Sequence, residues 1–240
     1  MIETSDKVEP VYPSATVVLV RDAADGLEVL LVQRANAVQH MGGMWVFPGG
    51  KVDEADYPQD RDPYGAAVNA AIRETMEEAG VTVSADQLVF LSHWTTPEGA
   101  RKRFATWFFL TILEDDQTVA VDGGEIARHR WVSPAQALRE CADAAHPLRL
   151  MPPTYVSLLE LQDCRDCDQA RRQCTASTPL YYAPRMVAAE GGVCFLYAGD
   201  VDYDAALQEE GVKHKRLQDA DAPQHRLYMV NDTLDYIRRV

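Results

Sequence analysis

The stretch Arg73-Glu74-Thr75-Met76-Glu77-Glu78-Ala79-Gly80-Val81 constrains this chain more than any other part of its sequence. From Ala66 the apolar residues recur with a helical period. Val68, Ile72, Thr75 or Met76, and Ala79 fall on one face, and Gly80 ends the helix as a C′ residue would. On that helix Glu77 lies about 60° to one side of Glu74 and Glu78 about 40° to the other, so three carboxylates crowd one arc of about 100°. Like charges at this spacing oppose the helix by ~0.2–0.5 kcal/mol per exposed pair. Two readings follow. The acids form a solvated face, or they hold a divalent cation that reverses their repulsion. Mg²⁺ or Mn²⁺ suits carboxylates, a backbone carbonyl and water. Context favours the cation, because the acids follow a Phe47-Pro48-Gly49-Gly50 turn and the helix has an apolar face on its other side.

The balance of charge is consistent with that need. The 240 residues carry 23 Lys and Arg against 37 Asp and Glu, a net −14. This argues against a general nucleic-acid binder, whose affinity rests on many cationic contacts to phosphate. An anionic substrate would need a local cation to overcome that field. With 47% hydrophobic and 25% charged residues the chain is globular in composition, which excludes a disordered or collagen-like polymer. No apolar run approaches the ~20 residues of a membrane-spanning helix. The acidic start Met1-Ile2-Glu3-Thr4-Ser5-Asp6 does not read as a signal peptide, nor Arg238-Arg239-Val240 as a targeting tripeptide. Five cysteines without a secretion signal read as reduced thiols, so a cytoplasmic location is expected.

Along the chain, Ser14 to Arg21 and Leu27 to Arg34 read as strands of a hairpin around Asp22–Gly26. Tyr57 to Gly65 is polar, with two prolines, and reads as an exposed loop. Leu88 to Trp94 and Phe104 to Leu113 read as strands. Ser133-Pro134-Ala135-Gln136 has the form of a capping box with Pro at the first helical position. Another helix is expected after Met151-Pro152-Pro153, with Thr154 as N-cap. Beyond Cys164 the pattern weakens: Gln169 to Cys174 suits a helix, and Val193 to Tyr197 and Arg226 to Val230 suit strands. This order is α+β rather than a strict β-α alternation.

Residues 50–81 resemble the box of the Nudix hydrolase superfamily, which reads Gly, five residues, Glu, seven residues, then Arg-Glu-aliphatic-x-Glu-Glu-x-Gly-aliphatic. Gly50, Arg73, Glu74, Glu77, Glu78, Gly80 and Val81 match. Thr75 stands at an aliphatic position. Asp56 stands where the first Glu is expected, and a nine-residue insertion, assigned to 57–65, separates it from Arg73. Asp53 and Glu54 are further candidates to orient Arg73.

The resemblance implies a Nudix fold, a mixed β-sheet sandwiched between helices over residues 10–163; the weaker pattern beyond it sets 164–240 apart as a C-terminal α/β extension expected to pack on that domain. It further implies that Gly50, Glu74, Glu77 and Glu78 bind Mg²⁺ or Mn²⁺, and that Arg73 pins a carboxylate. The chemistry would be hydrolysis of a diphosphate linked to another group. Glu74 is the first candidate for general base and Glu125 the second. A small-molecule nucleotide diphosphate is the implied partner, with no nucleic acid and no membrane. A homodimer is compatible with this reading.

Trp94-Thr95-Thr96-Pro97, then Lys102-Arg103-Phe104-Ala105-Thr106-Trp107-Phe108-Phe109, resembles the inserted-box branch that includes the peroxisomal coenzyme A and acyl-CoA diphosphatase. Ala105 replaces the Asp usual there, and Pro152-Pro153-Thr154 recurs in that branch. Leu30–Arg34 and Gly42 before Phe47 loosely resemble a separate coenzyme A motif, without its central Arg and one residue short after Arg34. These segments make Arg103, Arg34, Trp94 and Thr106 the substrate-binding candidates. The cluster Arg101-Lys102-Arg103 reads either as a solvated turn or as a phosphate contact, with Arg103 preferred. Trp94, Trp107 and Phe108 read as core or as a stacking surface for adenine. Coenzyme A or acyl-CoA is the preferred substrate. ADP-ribose, NADH, a nucleotide sugar, or a catalytically silent nucleotide-sensing module are the alternatives. Cys164, Cys167 and Cys174 read as structural thiols, with zinc as the other option. The histidines, His40, His93, His129, His146, His214 and His225, show no ligand spacing.

Overall fold

The β-branched run expected from Ser14 forms β1 (Val11–Ala23), which turns through Ala24-Asp25 into β2 (Gly26–Arg34) in antiparallel register, Val20 opposite Val29. The computed structural model describes residues 9–37, 41–113, 117–121, 123–143, 145, 147–207 and 221–239. The acidic first residues, His40, His146, His214 and Val240 lie outside them. The contacts divide the chain into two units. The larger comprises 12–93 and 105–180; the smaller comprises 1–11, 94–104 and 181–240. The 163/164 boundary expected from the sequence falls inside the larger unit.

In the larger unit β3 (Trp45–Val46), β2, β1, β6 (Arg103–Ile112) and β5 (Val89–Thr95) lie side by side in that order. β4 (Gly49–Lys51) pairs with β1, and β7 (Ile126–Val132) with β2. A parallel bridge joins Trp45 to Leu150. Successive side chains of a strand point to opposite faces. Along β1 Ala15, Val17 and Leu19 enter one cluster, while Val18 and Val20 are also buried, so both faces of the sheet are covered. Helix α1 (Pro63–Ala79) lays Ala67, Ala70, Ala71 and Ala79 on that cluster, against Leu30, Val32, Phe109 and Ile126. Four small residues on one face let the helix sit close to the strands, which keeps its acids near β4. Helix α2 (Pro134–Cys141) contacts β2 and α3 (Pro152–Leu161), and α4 (Cys167–Ala176) follows. The class is α+β.

Three local expectations change. Helix α1 begins at Pro63 rather than Ala66, because Asp62 accepts from the Tyr64 and Gly65 amides and Pro63 is preset for the first turn. The loop of the insertion therefore stops at Asp62. Ser133 caps α2 through the Gln136 amide at 3.3 Å, but the Gln136 side chain turns to Glu140, so the box is half-formed. Thr154 is buried inside the first turn of α3, whose N-cap is Met151, since Pro152 and Pro153 fill the positions that need no amide donor.

In the chain, β8 (Leu180–Tyr182) spans the boundary between the two units. Beyond it β9 (Arg185–Ala189), β10 (Gly192–Leu196), β11 (Gln224–Val230) and β12 (Thr233–Arg239) form an antiparallel sheet in the order β12-β11-β10-β9. β8, β9 and β12 had no sequence counterpart. Asn231 and Asp232, both at positive φ, make the two-residue turn into β12. Among the described residues no helix is long and apolar enough to cross a membrane.

Gly80 closes α1 at φ 67°, its amide donating to the Met76 carbonyl. A Cβ there would sit 3.0 Å from the Ala120 carbonyl oxygen. Left-handed backbone costs a side-chain-bearing residue about 1–2 kcal/mol. Gly80→Ala should lose at least that in denaturant unfolding, and an unchanged midpoint would show that the turn relaxes freely.

Candidate active site

The register Ala15 opposite Gly50 hangs the Phe47–Gly50 turn from β1 and sets it beside α1. Gly50 brings the turn close to the helix acids: a Cβ there would fall 2.3 Å from Oε1 of Glu74, so a larger residue would displace that carboxylate. The Gly49 amide donates to Oε2 of Glu78 at 2.8 Å. The turn and the acidic face of the helix are thus in direct contact.

Arg73 organises this face. Its Nε and Nη2 form a fork on Asp56, at 3.1 and 2.9 Å from the two oxygens, and Nη2 also donates to the Lys51 carbonyl at 2.9 Å. Nη1 donates to Glu74 at 2.9 Å and to Glu77 at 3.0 Å. Asp56 therefore reaches Arg73 across the insertion. Asp53 stands second, 3.7 Å from Nη2, and Glu54 pairs with Arg61 instead. Burial alone would raise the Asp56 carboxyl, but the Arg73 hydrogen bonds, the Asp53 amide and the guanidinium charge hold it below its ordinary value. Arg73 is raised by the same contacts, the Asp56 hydrogen bond first.

The three helix acids differ in setting. Glu77 is 56% exposed, Glu74 15% and Glu78 8%. Burial raises the Glu74 carboxyl, against the opposing pull of Arg73. Burial raises Glu78 further, to about 8, with Glu74 and Glu125 adding to it and the Gly49 amide and Arg34 opposing. Arg34 lies 4.0 Å from Glu78 and 2.5 Å from Glu125, and the Glu125 carbonyl accepts from the Ala35 amide. The structure thus gathers Gly50, Arg73, Glu74, Glu77, Glu78, Arg34 and Glu125 in one place.

Among the described residues no three acidic, His or Cys side chains converge as a ready-made metal cage, and Arg73 Nη1 is bonded to both Glu74 and Glu77. The donor set nonetheless fits a hard divalent cation. It is all oxygen, and a cation bound there would offset the burial that pushes the Glu78 carboxyl up. The thiols fit less well. Cys167 and Cys174 are pushed up to about 12, by burial first and then by Asp22 and Glu160 respectively, so they stay protonated.

Arg103 and Trp94 belong to the smaller unit. Arg103 is buried, its Nε donating to the Thr96 carbonyl at 3.3 Å, while Arg101 and Lys102 are exposed. Trp94 is buried with Tyr182 stacked on its face at 3.7 Å and 7°, so that face is closed to a base. Phe108 is buried, and Trp107 packs on the core of the larger unit. Thr106 is half-buried on β6. Sequence reasoning missed Gly49 as a donor and Asn69, which binds the Asp56 carbonyl at 2.8 Å. The i, i+4 spacing of Asn69 and Arg73 was the available signal.

The Nudix domain family matches residues 11–151, more than half of the chain. A Mycobacterium tuberculosis protein provisionally named 8-oxo-dGTP diphosphatase 3 is 30% identical over 206 residues, covering 81% of this chain and 80% of its own. A Caenorhabditis elegans protein provisionally named nudix hydrolase 7 is 25% identical over 212 residues, covering 73% and 69%. A solved NUDIX hydrolase from Alicyclobacillus acidocaldarius shares the fold, with a TM-score of 0.60 over 69% of this chain and 97% of its own at 23% identity.

The Glu78 carboxyl rises from 4.5 to about 8 on folding, so the unfolded chain ionises first. Between those values the metal-free fold loses stability as pH rises, and above the upper one the loss is complete. Glu78→Gln cannot ionise. Its stability advantage in chelator should grow from about pH 5 to a plateau above the folded pKa. An advantage flat with pH would show that Glu78 is not held protonated.

Proposed function

The chain belongs to the Nudix family, and on that premise we propose that it hydrolyses a diphosphate bond in a nucleoside-diphosphate derivative, with Mg²⁺ or Mn²⁺ held by Glu74, Glu77, Glu78 and the Gly50 carbonyl. Nudix hydrolases generally use divalent metal ions and act on small nucleotide substrates. The observation that carries the reading is the direct approach of Gly50 to Glu74 beside the buried Glu78, an arrangement with no use in a solvated acidic face.

A divalent cation held there supplies Lewis acidity that offsets charge on the diphosphate and activates water. The residues do the rest. Arg73 holds the loop through Asp56 and Lys51 and keeps Glu74 and Glu77 aimed. Glu74 and Glu125 are the two candidates to take the proton from the attacking water. Each is paired with an arginine, Glu74 with Arg73 and Glu125 with Arg34, and Glu125 is the more exposed at 53%. Arg34, already between Glu78 and Glu125, is the cation best disposed to meet a phosphate oxygen.

Coenzyme A or acyl-CoA is the substrate we favour, on the likeness of residues 94–109 and 152–154 to the inserted-box branch. The second reading is an oxidised nucleoside triphosphate, which the name of the M. tuberculosis relative favours. A silent sensing module is disfavoured because Arg73, Glu74, Glu77 and Glu78 are all present. Coenzyme A, acyl-CoAs, ADP-ribose, NADH, nucleotide sugars and 8-oxo-dGTP, each with Mg²⁺ or Mn²⁺ and products identified by mass, separate these. A coenzyme A preference predicts adenosine 3′,5′-bisphosphate as product.

Two outcomes test the mechanism. Activity should vanish in chelator and return with added ion; full turnover after exhaustive metal removal would sink it. Glu78→Gln should cut kcat by ~10²–10³, the usual effect of losing one electrostatic stabiliser of a transition state. Retention of more than about a tenth of the rate, well short of that range, would exclude Glu78 as a principal ligand.

A further inference from the structure

The insertion and the Asp at position 56 pose one geometric problem. Asp is one methylene shorter than the Glu usual there, and the nine extra residues lengthen the path to Arg73. The fork from Arg73 to Asp56 is nevertheless formed at both oxygens. A second contact lies one helical turn before it. Asn69 Nδ2 donates to the Asp56 backbone carbonyl at 2.8 Å, so α1 grips this residue at two points, carbonyl and carboxylate, from positions i and i+4. Asp56 itself is buried, its amide donating to the Asp53 carbonyl. The far side of the insertion is also anchored. Tyr64, in the first turn of α1, meets Trp107, Phe109 and Phe90 edge-on at 5.3, 5.8 and 6.1 Å.

Asn69 is exposed and sits in a helix interior, where Asn is a poorer former than Ala. Helix propensity and core packing give it no reason to be there. We propose that Asn69 is a positioning residue: it draws the Asp56 backbone toward α1 so that the shortened carboxylate reaches Arg73, and through Arg73 it aims Glu74 and Glu77. This deepens the functional reading given above and rests on it for its effect on metal.

The test uses the full chain as wild type, Asn69→Ala, Asp56→Glu and the double variant. Two readouts are taken: Mn²⁺ affinity, and the NMR signal of the Arg73 Nε–H without metal. Asn69→Ala should lower Mn²⁺ affinity by ~10-fold, the lower end of the ~10–100-fold effect of losing support behind a ligand. Its thermal midpoint should stay level or rise, and the Arg73 signal should shift or broaden. Adding Asp56→Glu should recover most of the affinity and return the signal, because the extra methylene restores the reach. A purely structural role predicts no such rescue. Wild-type affinity and an unmoved Arg73 signal in Asn69→Ala would overturn the proposal, as would a loss that Glu at 56 does not repair. If wild type takes up no Mn²⁺, the functional reading falls. The Arg73 signal then still decides the tether: moved and rescued it stands, unmoved it fails.

Discussion

The guanidinium of Arg73 is the contact on which the site depends. A planar group with five donors is spread over Asp56, the Lys51 carbonyl, Glu74 and Glu77, and so ties the loop after β4 to the middle of α1. Asp56 is buried, and a buried carboxylate stripped of its cation costs ~3–5 kcal/mol. The loop is thereby tied to α1 just after β4, whose own pairing with β1 places Gly50. Lys at 73 would keep the charge but not the fork, and could not serve a backbone carbonyl and two sides of a carboxylate together.

Around that anchor the acids are graded by depth rather than by sequence. Glu77 faces water, Glu74 is half-sunk under Arg73, and Glu78 sits on the Gly49 amide with its proton retained near neutrality. The protein thus relieves like-charge repulsion in two ways, by a shared cation and by protonation. Arg34 and Glu125 add a third pair at the edge, where Glu125 raises Glu78 and Arg34 lowers it.

The smaller unit follows different physics. Trp94, Tyr182, Tyr197, His225 and Tyr236 form one aromatic cluster, in which His225 Nδ1 meets the Ala198 carbonyl and Nε2 the Tyr236 hydroxyl. Beside it the fully buried Arg226 binds Asp200, whose oxygens also accept the His225 and Asp202 amides. Arg226 and Asp200 are matched to each other by hydrogen bonds, as a buried pair requires. Trp94 and Arg103 entered the sequence reading as binding residues through a motif. In the structure their neighbours within this unit engage them in packing and in a backbone contact.

What could be read from residues alone was what repeats locally. A period of 3.6 placed α1 and its acids, and Gly80 marked its end, because both depend on neighbours within one or two turns. The strands β1, β2, β5 and β6 were legible for the same reason, being long and apolar or β-branched, whereas β7, with two arginines and a histidine among seven residues, was not read. Short strands such as β8, β9 and β12 were not, since three to seven mixed residues carry too little pattern to separate from loop. The start of α1 was missed where Gly65 masked an Asp-Pro cap. The tertiary structure decided the rest: that Asp56 meets Arg73 17 residues away, that Arg34 meets Glu125 across 91, and that burial pushes the Glu78 carboxyl up. Periodicity is a property of the backbone's own geometry. Charge pairing and desolvation instead depend on which distant segments the sheet register brings together, and no local stretch of sequence encodes that distance.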